Sequence, residues 1–256
     1  MQQIIEKRQN IMIKIIRKLL NFYRSYRTQA FPGSQKNNFT RWLYLLSRAK
    51  VNLIYKAYFN TTFDWKRIDI EVVNKLNNTI PSSSEGCLLD KVNDLRTRTQ
   101  VNFIVSILKQ INAKKILEIG TYKAMFCYVV HLYDNSITID TFGDLSGSQK
   151  AVDKLNLKYG EYIHYHLGDS RQTLKDFCPN YQIDFAWVDG GHYYEVCMSD
   201  LVNCDRLKIL TIAVDDYKWS NDVKKAVDEF VEKYNYKITG ISNFIDYRGI
   251  VHLTRN

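Results

Sequence analysis

The stretch that decides the fold is Lys115-Ile116-Leu117-Glu118-Ile119-Gly120-Thr121-Tyr122-Lys123-Ala124. Its first five residues form a short, mostly apolar run ending at a glycine, which reads as a buried strand. A glycine directly after a strand lets a ligand approach the backbone closely. A helix over about 123–133 follows, and a helix over 94–112 precedes. Outward from this unit the alternation repeats to the end of the chain. The pattern predicts strands over 136–140, 162–167, 183–188 and 209–214, and helices over 147–159, 171–177, 193–206 and 221–234. Strands over 236–242 and 248–254 close the sequence. Strands alternating with helices imply an α/β chain with a doubly wound, mostly parallel sheet.

In such sheets ligands bind beyond the carboxyl ends of the strands. The residues standing there are Gly120-Thr121-Tyr122, Asp140-Thr141-Phe142, Gly168-Asp169-Ser170, Asp189-Gly190-Gly191-His192 and Asp215-Asp216-Tyr217. All but the first of these ends carry an acid. Asp140 follows Glu118 by 22 residues, a spacing that suits a ribose hydroxyl. A full glycine-rich fingerprint is missing, and so is a phosphate cradle with its lysine and hydroxyl pair.

The 256 residues carry a net charge of +9, unevenly spread. Residues 1–60 hold twelve Lys and Arg against one acid, Glu6, so they carry +11 and leave −2 for the rest. A basic segment suits an anionic partner such as a membrane surface or nucleic acid. Residues 3–28 read as an amphipathic helix with Met12, Ile16, Leu19 and Tyr23 on one face. That face could pack on its own domain, on a second copy in a homo-oligomer, or in an anionic membrane surface as a peripheral contact. A second helix is expected over 39–58, and 81–86 reads as a loop. The boundary between a basic, mainly helical region (1–85) and the main domain (86–256) is placed there. Five cysteines, odd in number and without CxxC spacing, suggest reduced thiols in a cytoplasmic setting. No run reaches the roughly 18 apolar residues of a membrane span.

The segments at the strand ends resemble a known group. Ile116-Leu117-Glu118-Ile119-Gly120-Thr121 resembles the first motif of class I S-adenosylmethionine-dependent methyltransferases. Ile139-Asp140-Thr141-Phe142, Gly168-Asp169-Ser170, Val188-Asp189-Gly190-Gly191-His192-Tyr193-Tyr194 and Val214-Asp215-Asp216-Tyr217 are similar to the macrocin-type small-molecule and sugar O-methyltransferases. The resemblance covers about residues 94–256.

It implies a seven-stranded Rossmann-like sheet that holds S-adenosylmethionine. Glu118, Gly120 and Thr121 would flank the methionine part and Asp140 the ribose, with Thr141 and Phe142 beside it. Asp169 and Ser170 would sit near the adenine. Asp189, Asp215 and Asp216 match the positions that hold a divalent ion, usually magnesium, and His192 matches the proposed base. The acceptor would be a hydroxyl on a sugar, a glycan or another small molecule. Magnesium wants oxygen ligands, and three adjacent carboxylates without a cation would repel one another. Helix N-capping is the simpler role for one aspartate, and loop or helix capping for His192. Nucleic acid is disfavoured as a substrate, since its phosphates would meet those carboxylates. Ala124 stands where the first motif commonly has glycine. That keeps open a second reading, a non-catalytic methyltransferase-like binding protein whose basic N-terminal region contacts membrane or RNA.

Overall fold

The computed structural model describes residues 63–80, 95–242 and 246–256. The helices expected over 3–28 and 39–58, and the loop over 81–86, lie outside these residues. The chain divides into two compact units, Met1–Ile54 and Tyr55–Asn256, and the described residues all belong to the second.

A 3-10 turn at Trp65–Arg67 and helix α1 (Ile70–Asn77) precede α2 (Leu95–Ile111). The alternating series is β1 (Lys115–Ile119), α3 (Met125–Tyr133), β2 (Thr138–Gly143), α4 (Ser146–Tyr159), β3 (Ile163–Leu167), α5 (Ser170–Asp176), β4 (Phe185–Val188), α6 (Tyr194–Arg206), β5 (Thr211–Val214) and α7 (Asn221–Lys233). β6 (Tyr236–Ile241) and β7 (Val251–Arg255) finish it. The seven strands form one sheet in the order β3-β2-β1-β4-β5-β7-β6. All neighbouring pairs from β3 through β5 are parallel, and β7 runs antiparallel to both β5 and β6. This is the expected doubly wound, Rossmann-like sheet.

Strand alternation divides the core into two layers. Ile116, Ile139, Phe185, Trp187 and Ala213 face one side with Val72 and Leu76 of α1, Ile104 and Leu108 of α2, Tyr128 of α3 and Leu155 of α4. Leu117, Ile119, Ala186, Val188, Ile212 and Val214 face the other with Leu174 of α5, Leu201 of α6 and Phe230 of α7. On α7 the buried Val223, Ala226, Val227 and Phe230 fall at helical spacing, and the Ser220 hydroxyl caps the helix by accepting from Val223 N–H.

Two features differ from the expectations drawn from the sequence. Helix α1 lies in a stretch without a clear periodic pattern, and Phe63, Val72, Val73 and Leu76 are part of the core. The main unit therefore begins upstream of residue 86. Strand β2 also continues three residues past Asp140, because the ladder with β3 runs on to Gly143 opposite Leu167.

Candidate active site at the carboxyl edge of the sheet

The turn after β1 is fixed by backbone contacts. Gly120 has φ +103, and a Cβ there would lie 1.9 Å from the Asp189 carbonyl oxygen, so only glycine fits. Gly120 N–H and Thr121 N–H both donate to the Phe142 carbonyl, at 2.9 and 3.2 Å. The ends of β1, β2 and β4 are thereby drawn together. Tyr122 and Ala124 also have positive φ, 39 and 54. The Ala124 methyl is wholly buried in the core layer that holds Tyr128, so it does not crowd the open side of the turn.

Beneath this turn lies a buried polar chain. Cys127 Sγ donates to Glu118 Oε2 at 3.0 Å, Thr141 Oγ1 donates to the same oxygen, and Thr141 Oγ1 lies 2.6 Å from Thr121 Oγ1. Burial pushes the Glu118 carboxyl up to about 7, against the pull of Cys127 and Thr141.

The other residues expected at the cofactor stand in different surroundings. Asp140 lies inside β2, where His166 Nε2 is 3.0 Å from one oxygen and the Tyr181 hydroxyl donates to the other. Phe142 is buried and stacked on His166 at 4.4 Å. The first acid past the end of β2 is the exposed Asp144. Asp169 caps α5 by accepting from Arg171 N–H at 2.9 Å, and the Arg171 guanidinium beside it holds its carboxyl below the usual range. Ser170 opens α5, close to the buried Asp200 of α6.

Asp189, His192 and Asp216 converge. Each offers one ligand atom, and the three atoms lie within 4.8 Å of one another. Asp215 does not join them. Asp216 sits at φ +59, so the two adjacent side chains diverge, and Asp215 Oδ1 accepts from Gln100 Nε2 of α2 at 3.3 Å. Asp216 is 1% exposed, and neither carboxylate oxygen has a partner in hydrogen-bond alignment among the described residues. His192 Nε2 stands 2.9 Å from Oδ2, and Arg248 Nη1 3.7 Å from Oδ1. The Asp216 carboxylate raises the His192 pKa and favours imidazolium. Burial, followed by the neighbouring carboxylates, pushes Asp189 well up and Asp215 up to about 7. The Trp219 indole, 54% exposed, meets His192 edge-on at 5.6 Å and lies under the Arg248 guanidinium at 5.0 Å.

The donor set fits a divalent ion. Its two carboxylates and one imidazole converge, and the buried Asp216 oxygens lack hydrogen bonds of their own. Gln100, Asp200, Trp219 and Arg248 were not legible as site residues. Asp200 alone left a signal: with Cys197, Leu201 and Cys204 it falls on the buried stripe of α6.

Among the described residues no helix is long and apolar enough to cross a membrane. Residues 117–214 match the family model described as a methyltransferase domain. A search of the curated proteins finds no match. Solved structures share the architecture. A methyltransferase from Podospora anserina bound to SAH has 17% identity over 89% of this chain and 100% of its own, with a TM-score of 0.54. An O-methyltransferase from Bacillus cereus in complex with SAH has 13% identity over 81% and 97%, with a TM-score of 0.56. An O-methyltransferase from Streptomyces achromogenes in complex with SAM has 15% identity over 74% and 91%, with a TM-score of 0.54. At these identities the structures speak for the fold, and the family model speaks for the segment from β1 to β5. Residues 117–214 of the chain thus match a methyltransferase domain, set in a sheet that has the class I methyltransferase fold.

Proposed function

We propose that this chain transfers the methyl group of S-adenosylmethionine to a hydroxyl of a sugar or another small molecule, assisted by a divalent ion. One observation carries this reading: the Gly120 turn abuts the Asp189 backbone, and Asp189 begins the Asp189–His192–Asp216 cluster. A donor seated over the turn would then lie beside an acceptor held at the cluster.

Asp189 and Asp216 would hold the ion; when bound, it would lower the pKa of a coordinated hydroxyl and position the oxygen. The chain's own residues do the rest. The glycine turn lets the donor approach the backbone. Arg248 sets a positive charge next to the place where the acceptor oxygen becomes anionic. Trp219, 54% exposed, offers apolar ring surface against which an acceptor can pack. The positioning of donor and acceptor supplies much of the rate.

The test is transfer of labelled methyl from S-adenosylmethionine to a panel of sugars and catechols, with and without a chelator. Asp189→Ala and Asp216→Ala are expected to lose turnover while circular dichroism stays native. Full activity in either variant would remove the metal role, and no binding of S-adenosylmethionine by calorimetry would remove the enzyme reading.

A further inference from the structure

We propose that Asp189, His192 and Asp216 form a mixed carboxylate–imidazole site for a first-row transition dication of the manganese, iron or cobalt class, preferred over magnesium, with His192 Nε2 as a ligand. The inference rests on the methyltransferase reading only for the use of the ion; the site itself is argued from geometry.

The distance between His192 and Asp216 is the first argument. His192 Nε2 and Asp216 Oδ2 are 2.9 Å apart but not aligned as donor and acceptor. Two ligands bound to one ion at about 2.1 Å, at right angles, stand about 3 Å apart and point at the ion rather than at each other. The second argument is burial. Asp216 is 1% exposed and neither oxygen has an aligned hydrogen-bond donor among the described residues; the His192 ring at 2.9 Å and the Arg248 guanidinium at 3.7 Å offset part of the cost of burying it, and a dication between Asp216 and Asp189 would offset more.

The third argument is selectivity. Magnesium demands oxygen ligands. The carboxylate that would complete such a set, Asp215, is turned toward Gln100 and stands near the charges of Arg96 and Asp246. An imidazole takes its place, and imidazole suits transition dications. The Arg248 guanidinium beside Asp216 also leaves less negative charge for a hard ion, so the nitrogen ligand matters more. The His192 backbone is held too: its carbonyl accepts from the Ser220 hydroxyl at 3.1 Å.

The test uses the full chain stripped with a chelator and titrated with cobalt(II), manganese(II) or magnesium. Cobalt binding is read from its visible absorption and from quenching of Trp219 fluorescence, with Trp219→Phe identifying the source of the quench. Wild type is expected to bind cobalt and manganese at least about tenfold more tightly than magnesium. His192→Ala should lose about tenfold or more in cobalt affinity with little change for magnesium, and His192→Asp should narrow the preference. Asp215→Asn should bind as wild type. Because the His192 side chain is 42% exposed, its variants are expected to fold, which thermal melting checks. The proposal is overturned by equal affinity for magnesium, by unchanged cobalt binding in His192→Ala, by loss of binding in Asp215→Asn, or by no ion binding at all. Calorimetry with S-adenosylhomocysteine, run separately, tests the methyltransferase reading: failure there with selective cobalt binding intact sinks only that reading.

Discussion

Asp200 should make the protein less stable as the pH rises, and Asp200→Asn should reverse that. The residue lies on α6 with its side chain wholly buried, neither oxygen has an aligned hydrogen-bond partner among the described residues, and a Cβ on Gly190 would sit 3.2 Å from Oδ2. Burial pushes its pKa up to about 7; Asp169 adds to the rise, while the Ser170 hydroxyl and the Arg171 charge oppose it. In the unfolded chain the value is about 3.9. Between those two values the folded state binds the extra proton, so stability falls as the pH climbs from about 4 to about 7 and then levels off. A gap of about 3 pH units at about 1.4 kcal/mol each corresponds to roughly 4 kcal/mol. Asn keeps the shape and cannot ionise. Its variant should match wild type near pH 4, exceed it by about 1.5 kcal/mol at pH 5, and exceed it by about 4 kcal/mol at pH 8. Urea unfolding at the three pH values measures the difference directly. The other buried acids, Glu118, Asp189 and Asp215, titrate in both proteins and largely cancel. A difference that does not change with pH, or a wild type that gains on the variant as the pH rises, would refute the reasoning. The latter result would mean that Asp200 is held as an anion.

Two further substitutions separate backbone from side-chain roles. Gly120→Ala places a Cβ 1.9 Å from the Asp189 carbonyl at φ +103 and should cost on the order of 3 kcal/mol or more, with loss of S-adenosylhomocysteine binding; wild-type urea stability would show that the turn can relax. Asp140→Asn weakens the bonds to His166 and Tyr181 and should cost about 1.5–3 kcal/mol in stability while leaving S-adenosylhomocysteine affinity intact. Asp144→Asn should do the reverse. Calorimetry decides between the two acids: a large loss of affinity in Asp140→Asn with none in Asp144→Asn would assign the ribose role to Asp140, as the resemblance implies.

The fold was largely legible because each strand is a short apolar run followed by a turn residue and an amphipathic helix. Lys115–Ile119 is read to the residue, and α7 shows its Val223–Phe230 stripe openly. What escaped depends on partners distant in sequence. Thr141-Phe142-Gly143 reads as the loop after an acid, yet β3 pairs with it and the Phe142 carbonyl takes two N–H groups from the β1 turn. Asp140 therefore ends up inside a strand. Asp215 and Asp216 look like one paired motif, but a single left-handed residue sends their carboxylates apart. No local pattern encodes the sign of that φ, or the arrival of Gln100 from α2. Arg248 sits between β6 and β7, in a stretch whose periodicity says nothing about the Trp219 ring beneath it.

The acids at the carboxyl edge share one electrostatic condition. For Glu118, Asp189 and Asp215 burial is the first cause of the upward shift, and for Asp189 and Asp215 the neighbouring carboxylates add to it. Desolvated like charges destabilise the folded chain by themselves, and only positive charge placed among them reverses the sign. Arg248 supplies part of it at Asp216, and His192 supplies more when protonated. The methyl donor bears a sulfonium cation and the candidate ion is a dication, so each brings the kind of charge this edge lacks. Stabilisation by a bound ligand follows its affinity and concentration. The cationic donor should therefore protect the fold more than its neutral, demethylated product at equal concentration. The same difference favours release of the product once the methyl group has left.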